Sequence, residues 1–382
     1  MNTTQRISQL RETMKIRNLD AAVIFNFENQ YYFSGLKAIT YSRPIILIVE
    51  KSKQSLIIPK VEENHAEEKT DVDSLYVYQE VEGFDNESTN YKELFKDVLS
   101  KLENNSKIGI EYGSLPTDFT IDIQNQGFEI QNIQQDIVNL RAIKSEEEIE
   151  SIKKSGELVS GALKTTLENS TVNASEVEID YFGNQFLFDE ISKKYTDSTL
   201  DYFVMSPSGI ERTNMPHVFS NTRKLEQGDI IIHSRQVGLN GYRAECERTY
   251  FVGEPSKKQA EIFDVMLRAH NAALNFIKVG VTAKEVNEVA LKVIREAGLE
   301  KYVSHRAGHG IGIGQHEEPY LRFDNDLELK AGMVFCIEPG IYIPGVGGFR
   351  HSDTVVLRDE GTEIITEYPR ELEHLIFDNK AK

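Results

Sequence analysis

Five short apolar runs in the first 111 residues constrain the start of this chain more than any other feature: AAVIF at 21–25, PIILIV at 44–49, SLIIP at 55–59, LYVY at 75–78 and KIGIE at 107–111. Each has the length of a strand, and polar stretches of helical length lie between them, which predicts a small α/β domain. Residues 1–18 read as an amphipathic helix with Ile7, Leu10, Met14 and Ile16 on its apolar side. They lack the apolar core of a signal peptide and are expected to remain in the mature protein. Residues 104–135 are rich in Asn, Gln, Ser and Gly, so the first domain is placed at 1–143.

A different pattern follows. Ser145 with Glu148 three residues later, ahead of Ile149, Ile152, Val159 and Leu163, is a capping box opening a long amphipathic helix. Further helices are expected over 175–193, 257–278 and 282–297. The strand candidates DIIIHSRQVGLNGY, ERTYFV, MVFCIEPGIYI and SDTVVLR stand in groups apart from them. Segregated helices and strands predict an α+β domain over 144–382. The chain of 382 residues suits two such domains. With 43 basic against 61 acidic residues the net charge is −18, spread along the chain, which argues against nucleic acid and anionic membranes as partners. Cys246 and Cys336 belong to no CxxC pair, as expected of a cytoplasmic protein.

Ionisable and glycine residues concentrate in four segments of the second domain, around His217, around His233, Glu245 and Glu247, around His305, His309 and His316, and around Glu338, Arg350 and His351. Glu338 ends the apolar run MVFCI, where a carboxylate needs a partner or a proton. Glu245 and Glu247 alternate, so on a strand they share a face. The glycines around His309 permit close backbone approach, and without a lysine they do not make a phosphate loop.

In order and spacing, PH at 216–217, GDI at 228–230, GY at 241–242, RT at 248–249, GHGIG at 308–312, HEEP at 316–319 and GMVFCIEPGIY at 332–342 resemble the pita-bread hydrolases. This is the family of creatinase, aminopeptidase P, prolidase and methionine aminopeptidase. The resemblance implies a pita-bread catalytic domain behind an N-terminal α/β domain of creatinase/prolidase type. The family's peptidases hold two divalent metals on two aspartates, a histidine and two glutamates. Here the corresponding places are read as His233, Glu245, His309, Glu338 and Ser352, which implies that no dinuclear site forms. Glu247 before Arg248, and the spacing from His217 to it, resemble creatinase, which works without a metal.

The expected function is therefore a creatinase-like C–N hydrolase acting on a small carboxylated amidine or amide, without a metal cofactor. In that reading His217 is the general base, with Glu247 and Glu338 also in catalytic roles and gripping a cationic substrate. The resemblance makes Tyr41, Arg43, His309 and His316 substrate-binding, and implies a homodimer in which Tyr41 and Arg43 reach a neighbouring subunit's site. The alternative is a Xaa-Pro peptidase with one divalent metal such as Mn, Co or Zn on Glu245, His309 and Glu338. A catalytically silent binding protein is the third reading, which the cost of keeping buried charges disfavours.

Overall fold

The computed structural model describes residues 2–81 and 90–377. The chain divides into two compact units, Met1–Arg141 and Ala142–Lys382. In the first, β1 (Ala21–Ile24), β2 (Ile46–Glu50), β3 (Gln54–Pro59), β4 (Ser74–Tyr78), β5 (Lys107–Ile110) and β6 (Glu129–Asn132) make one sheet in the order β4-β3-β2-β1-β5-β6. It is mixed: β1 runs antiparallel to β2 and parallel to β5. The first five strands coincide with the five apolar runs. The sixth lies in the later part of the polar 104–135 stretch, beyond KIGIE, where no strand is expected. As an edge strand with no fully buried side chain it carries no apolar signature. The first helix, Thr3–Ile16, buries Ile7, Leu10 and Met14 but leaves Ile16 exposed at its end.

In the second unit, Ser145 Oγ accepts from the Glu148 amide and the Glu148 carboxylate accepts from the Ser145 amide, so the capping box forms as expected. The helix it opens, Glu146–Glu168, buries Ile149, Ile152, Val159 and Leu163. Capping boxes also open the helices Glu176–Lys194, Lys257–Phe276 and Ala283–Glu296. Strands β7 (Leu200–Met205), β8 (Asp229–Leu239), β9 (Tyr242–Val252), β10 (Gly308–Gly310), β11 (Glu317–Leu321) and β12 (Val334–Ile337) are followed by the separate ladder of β13 (Gly340–Ile343) with β14 (Gly347–Arg350). Then come β15 (Ser352–Arg358), β16 (Gly361–Ile364) and β17 (Ile376–Phe377). The large sheet runs β11-β10-β12-β15-β9-β8-β7, with β16 on β15 and β17 on β9, and the unit is α+β.

Two local features set the geometry of this sheet. Asn240 and Gly241 both have positive φ, 51° and 86°, and form the two-residue hairpin turn between β8 and β9. That turn fixes the register, placing Gln236 opposite Glu245 and Ser234 opposite Glu247. At Gly308 a Cβ would lie 2.0 Å from the Cys336 carbonyl oxygen, so glycine is what lets β10 pair tightly with β12. Among the described residues no helix is long and apolar enough to cross a membrane.

Candidate active site

The alternation of a strand sends Ser234 and Gln236 of β8 to the same face as Glu245 and Glu247 of β9. On the other side of β9, Ser352 of β15 pairs with Glu247, bringing the end of β14 and the start of β15 to the same carboxylates. β10 contributes His309, and Glu338 follows the last residue of β12. Glu245, Glu247 and Glu338 each offer an oxygen within 4.8 Å of the others, and Glu245, His309 and His316 do the same with their ligand atoms.

Glu245 accepts from Gln236 Nε2 at 2.5 Å and from Ser352 Oγ at 2.7 Å. Burial raises its pKa, and the hydrogen bonds from these two donors act against that and lower it. Glu338 has weaker help, from Arg350 at 4.0 Å and from Arg306, and it does not prevail. Burial, then repulsion from Glu245 and Glu247, raise its pKa well above the ordinary carboxylate range, so without a cation it keeps its proton. Glu247 is different again: Arg350 grips it with Nε at 2.5 Å and Nη2 at 3.0 Å. Burial pushes Glu247 up, while Arg350 is held protonated, and the two-point contact keeps the pair ionised. Arg350 Nη1 also donates to Tyr342 Oη at 3.0 Å and to the Pro216 carbonyl at 3.3 Å.

The histidines are assigned by their neighbours. His309 Nδ1 faces the Gly310 carbonyl at 2.9 Å and so carries the proton, leaving the lone pair on Nε2. That Nε2 is buried without a hydrogen-bond partner, 3.5 Å from Glu338 and 4.0 Å from Glu245. His316 stacks on His309 with ring centroids 3.8 Å apart. Arg306 Nη2 lies 3.2 Å from His316 Nδ1 and can only donate, so the His316 proton sits on Nε2. Burial, then His309, lower the His316 pKa to about 4. His217 is exposed, and burial of part of its ring, then Arg350, lower its pKa below the ordinary value, leaving it neutral.

The structure therefore gathers Glu245, Glu247, His309, His316 and Glu338, with His217 within electrostatic reach of Arg350, Glu245 and His316. Two expectations need correction. Glu247 is not free to grip a cationic substrate, because Arg350 already neutralises it. His233 is not at a ligand position: it pairs with Arg248 on the opposite face of the hairpin, where its Nδ1 meets Ser206 Oγ at 2.7 Å. The residue facing Glu247 is Ser234. Tyr41 and Arg43 belong to the first unit, where they line a cavity of about 570 Å³, and Arg43 pairs with Glu80 at 2.8 Å. Arg306, Gln236 and Ser234 are not among the residues singled out from the sequence, and Arg350 is singled out there only as part of a charged segment, without a role. The two-residue turn was the signal that could have found Ser234 and Gln236.

Comparison with known proteins bears on the same residues. The family described as metallopeptidase family M24 matches residues 150–359, and the creatinase/prolidase N-terminal domain matches residues 6–143. The Xaa-Pro dipeptidase of Pyrococcus furiosus is 30% identical over 370 residues, covering 96% of this chain and 99% of that protein. The prolidase structure from Pyrococcus horikoshii OT3 superposes with a TM-score of 0.84 at 29% identity, covering 96% and 99% of the two chains. The X-Pro aminopeptidase structure from Thermotoga maritima MSB8 gives 0.84 at 27%, covering 97% and 99%. These findings overturn the expectation of a protein without a metal cofactor, since the matching family is one of metallopeptidases and the site holds a cluster able to bind an ion. They likewise favour the peptidase reading over the creatinase-like one.

Proposed function

The chain belongs to metallopeptidase family M24, with a creatinase/prolidase N-terminal domain, and from this premise we propose that it hydrolyses Xaa-Pro dipeptides with one divalent cation on Glu245, His309 and Glu338. The observation that carries the reading is the bare Nε2 of His309, buried, without a partner and aimed between two carboxylates. An orphaned buried acceptor costs stability unless a ligand satisfies it. Charge agrees with a single cation. With Glu247 matched by Arg350, Glu245 and an ionised Glu338 supply two negative charges, and metal binding would drive off the Glu338 proton. Where a second cation would need further carboxylates, the chain has Ser234, Ser352 and the Arg350 guanidinium.

Such a cation supplies Lewis-acid polarisation of the scissile carbonyl. The chain's own residues do the rest. His316 presents Nε2–H to a substrate oxygen. His217, neutral near pH 7, can take a proton from water and return one to the leaving imino nitrogen. Arg350 ties Glu247 to the Pro216 carbonyl and so fixes the segment that carries His217. The pairing of subunits, with Tyr41 and Arg43 of one serving the site of another, is part of the same proposal. Recovery of activity after subunit exchange between inactive His217→Ala and Arg43→Ala proteins tests it.

The main test is metal analysis of protein purified without chelators, joined to assays of Ala-Pro and of creatine with and without a chelator. About one equivalent of divalent metal, with Ala-Pro hydrolysis lost on chelation and restored by added Mn, Co or Zn, is expected. Creatine hydrolysis by metal-free protein would overturn the reading.

A further inference from the structure

His217 stands in the segment 214–220, which lies in no helix or strand, so its place has to be set by side chains from elsewhere. The helix Glu176–Lys194 supplies them. Its capping box uses Ser175 and Glu178, which leaves Glu176 and, one turn on, Asp180 to face inward, and both are buried. Glu176 Oε1 accepts from the Ser208 amide at 2.7 Å, from Ser208 Oγ at 2.7 Å and from Arg212 Nε at 2.9 Å. Its Oε2 accepts from Arg212 Nη2 at 2.8 Å and from the Asn221 amide at 2.9 Å. Arg212 Nη2 donates onward to the Phe219 carbonyl at 2.7 Å. One carboxylate therefore holds the chain on both sides of the segment, at Ser208 and at Asn221, while Asp180 receives the Ser206 and Ser220 hydroxyls.

A group that takes a proton from water works only while its nitrogen stays within hydrogen-bond reach of it, and a free loop does not guarantee that. Fixing both ends of a short segment removes much of the freedom of the residues between them. The Arg350 contact with the Pro216 carbonyl then anchors this one a third time, one residue before His217. We propose that Glu176 is a positioning residue for His217, acting through the two ends of its segment. The inference rests on the role given to His217 in the peptidase reading. Glu176 is fully buried beneath five donors, so its effect on turnover must pass through the segment. The substitution Glu176→Gln leaves an amide that offers an oxygen on one side only. Either Ser208 or Asn221 then meets an N–H in place of an acceptor, and that end of the segment is released.

The test joins kinetics on Ala-Pro, for the wild type, Glu176→Gln, His217→Ala and the double variant, to NMR of protein carrying isotope-labelled histidines. The His217 ring signal is the one absent from His217→Ala. It should move in Glu176→Gln, with the signals of His270 and His351 unchanged. In the same variant kcat/KM should fall by about 10²-fold, mostly in kcat, the scale of a catalytic group misplaced by about an ångström. In the His217→Ala background the substitution should cost less than about twofold more, because a group already removed cannot be misplaced. A full second loss there would make Glu176 a general support of the fold and overturn the proposal, as would a His217 signal that stays where it is in the wild type. If Glu176→Gln does not fold, Arg212→Gln, which leaves the carboxylate three neutral donors and frees the Phe219 carbonyl, is held to the same outcomes. If the wild type does not cleave Ala-Pro, the peptidase reading fails and the ring signal alone decides: its movement upholds the clasp and its constancy overturns it.

Discussion

Glu245 and Glu247 sit two residues apart on one strand, face the same way and are almost equally buried, yet they have opposite chemistry. Glu245 is held by neutral donors, Gln236 and Ser352, and shares its surroundings with an unpartnered histidine nitrogen and a protonated Glu338. Glu247 is closed off by a guanidinium. One half of the cluster is open to a cation, while the other already contains one, fixed to the chain. Strand alternation decides which carboxylates meet, but the residue reaching in from the neighbouring strand decides what each can do.

The open half depends most on His309. His309→Ala removes a ligand from the open half, and kcat/KM on Ala-Pro should fall by about 10³-fold or more, the scale on which loss of an electrostatic stabiliser acts. Bound metal, measured by elemental analysis, should fall with it. Retention of a full equivalent would place the cation elsewhere.

Glu247→Gln attacks the closed half. It strands the Arg350 charge in a buried site, and the loss of a buried partner costs roughly 3–5 kcal/mol of stability. Metal content should stay as in the wild type. A variant that is stable in urea but metal-free would show that Glu247 is a ligand and that the two halves are not distinct.

Much of this was legible in the sequence, but unevenly. The apolar runs gave β1 to β5, and the Ser145 capping box marked the first long helix of the second unit. The edge strand β6 escaped because strands exposed at a sheet edge have no need of apolar residues. In the site, Glu338 stood out because a carboxylate closing an apolar run demands a partner. His233 drew notice as a histidine, although parity from the Asn240–Gly241 turn turns it away and sends Ser234 inward instead. Arg350 stands in a charged segment of the sequence, but its role does not: what distinguishes it is which carboxylate it meets, and that is a property of packing across distant segments.

Acid should reach the closed half through its backing. Behind Ser352 and Asp353, His270 and His351 are fully buried. Burial lowers the His270 pKa to about 3, and it lowers His351 well below its usual value. Both are neutral in the folded chain, whereas in the unfolded chain they titrate near 6.5. As pH falls below about 6.5 the unfolded state binds more protons, so stability is lost until the folded pKa is reached, near 3 for His270. Each histidine should remove on the order of 1 kcal/mol per pH unit in that window. Urea midpoints at pH 7.0 and 5.5 would show it, and His270→Gln should flatten the slope. An unchanged slope would mean that the back of the closed half does not resist protonation.

The two serines beside the glutamates sharpen the contrast at its smallest scale. Ser352 Oγ donates to Glu245, and the Ser234 hydroxyl donates to Glu247. In Ser352→Ala the carboxylate loses a donor that orients it for the cation, so metal affinity should weaken by about 10-fold, the lower range for residues that support a metal ligand. In Ser234→Ala the carboxylate keeps both contacts with Arg350, and the cost should be about 0.5–1 kcal/mol of stability, with metal affinity unchanged. Competition with a fluorescent chelator gives the affinities and thermal melts give the stabilities. If both variants weaken the metal alike, Glu247 takes part in holding it despite Arg350, and the guanidinium is then a partner to the cation's site and not its substitute.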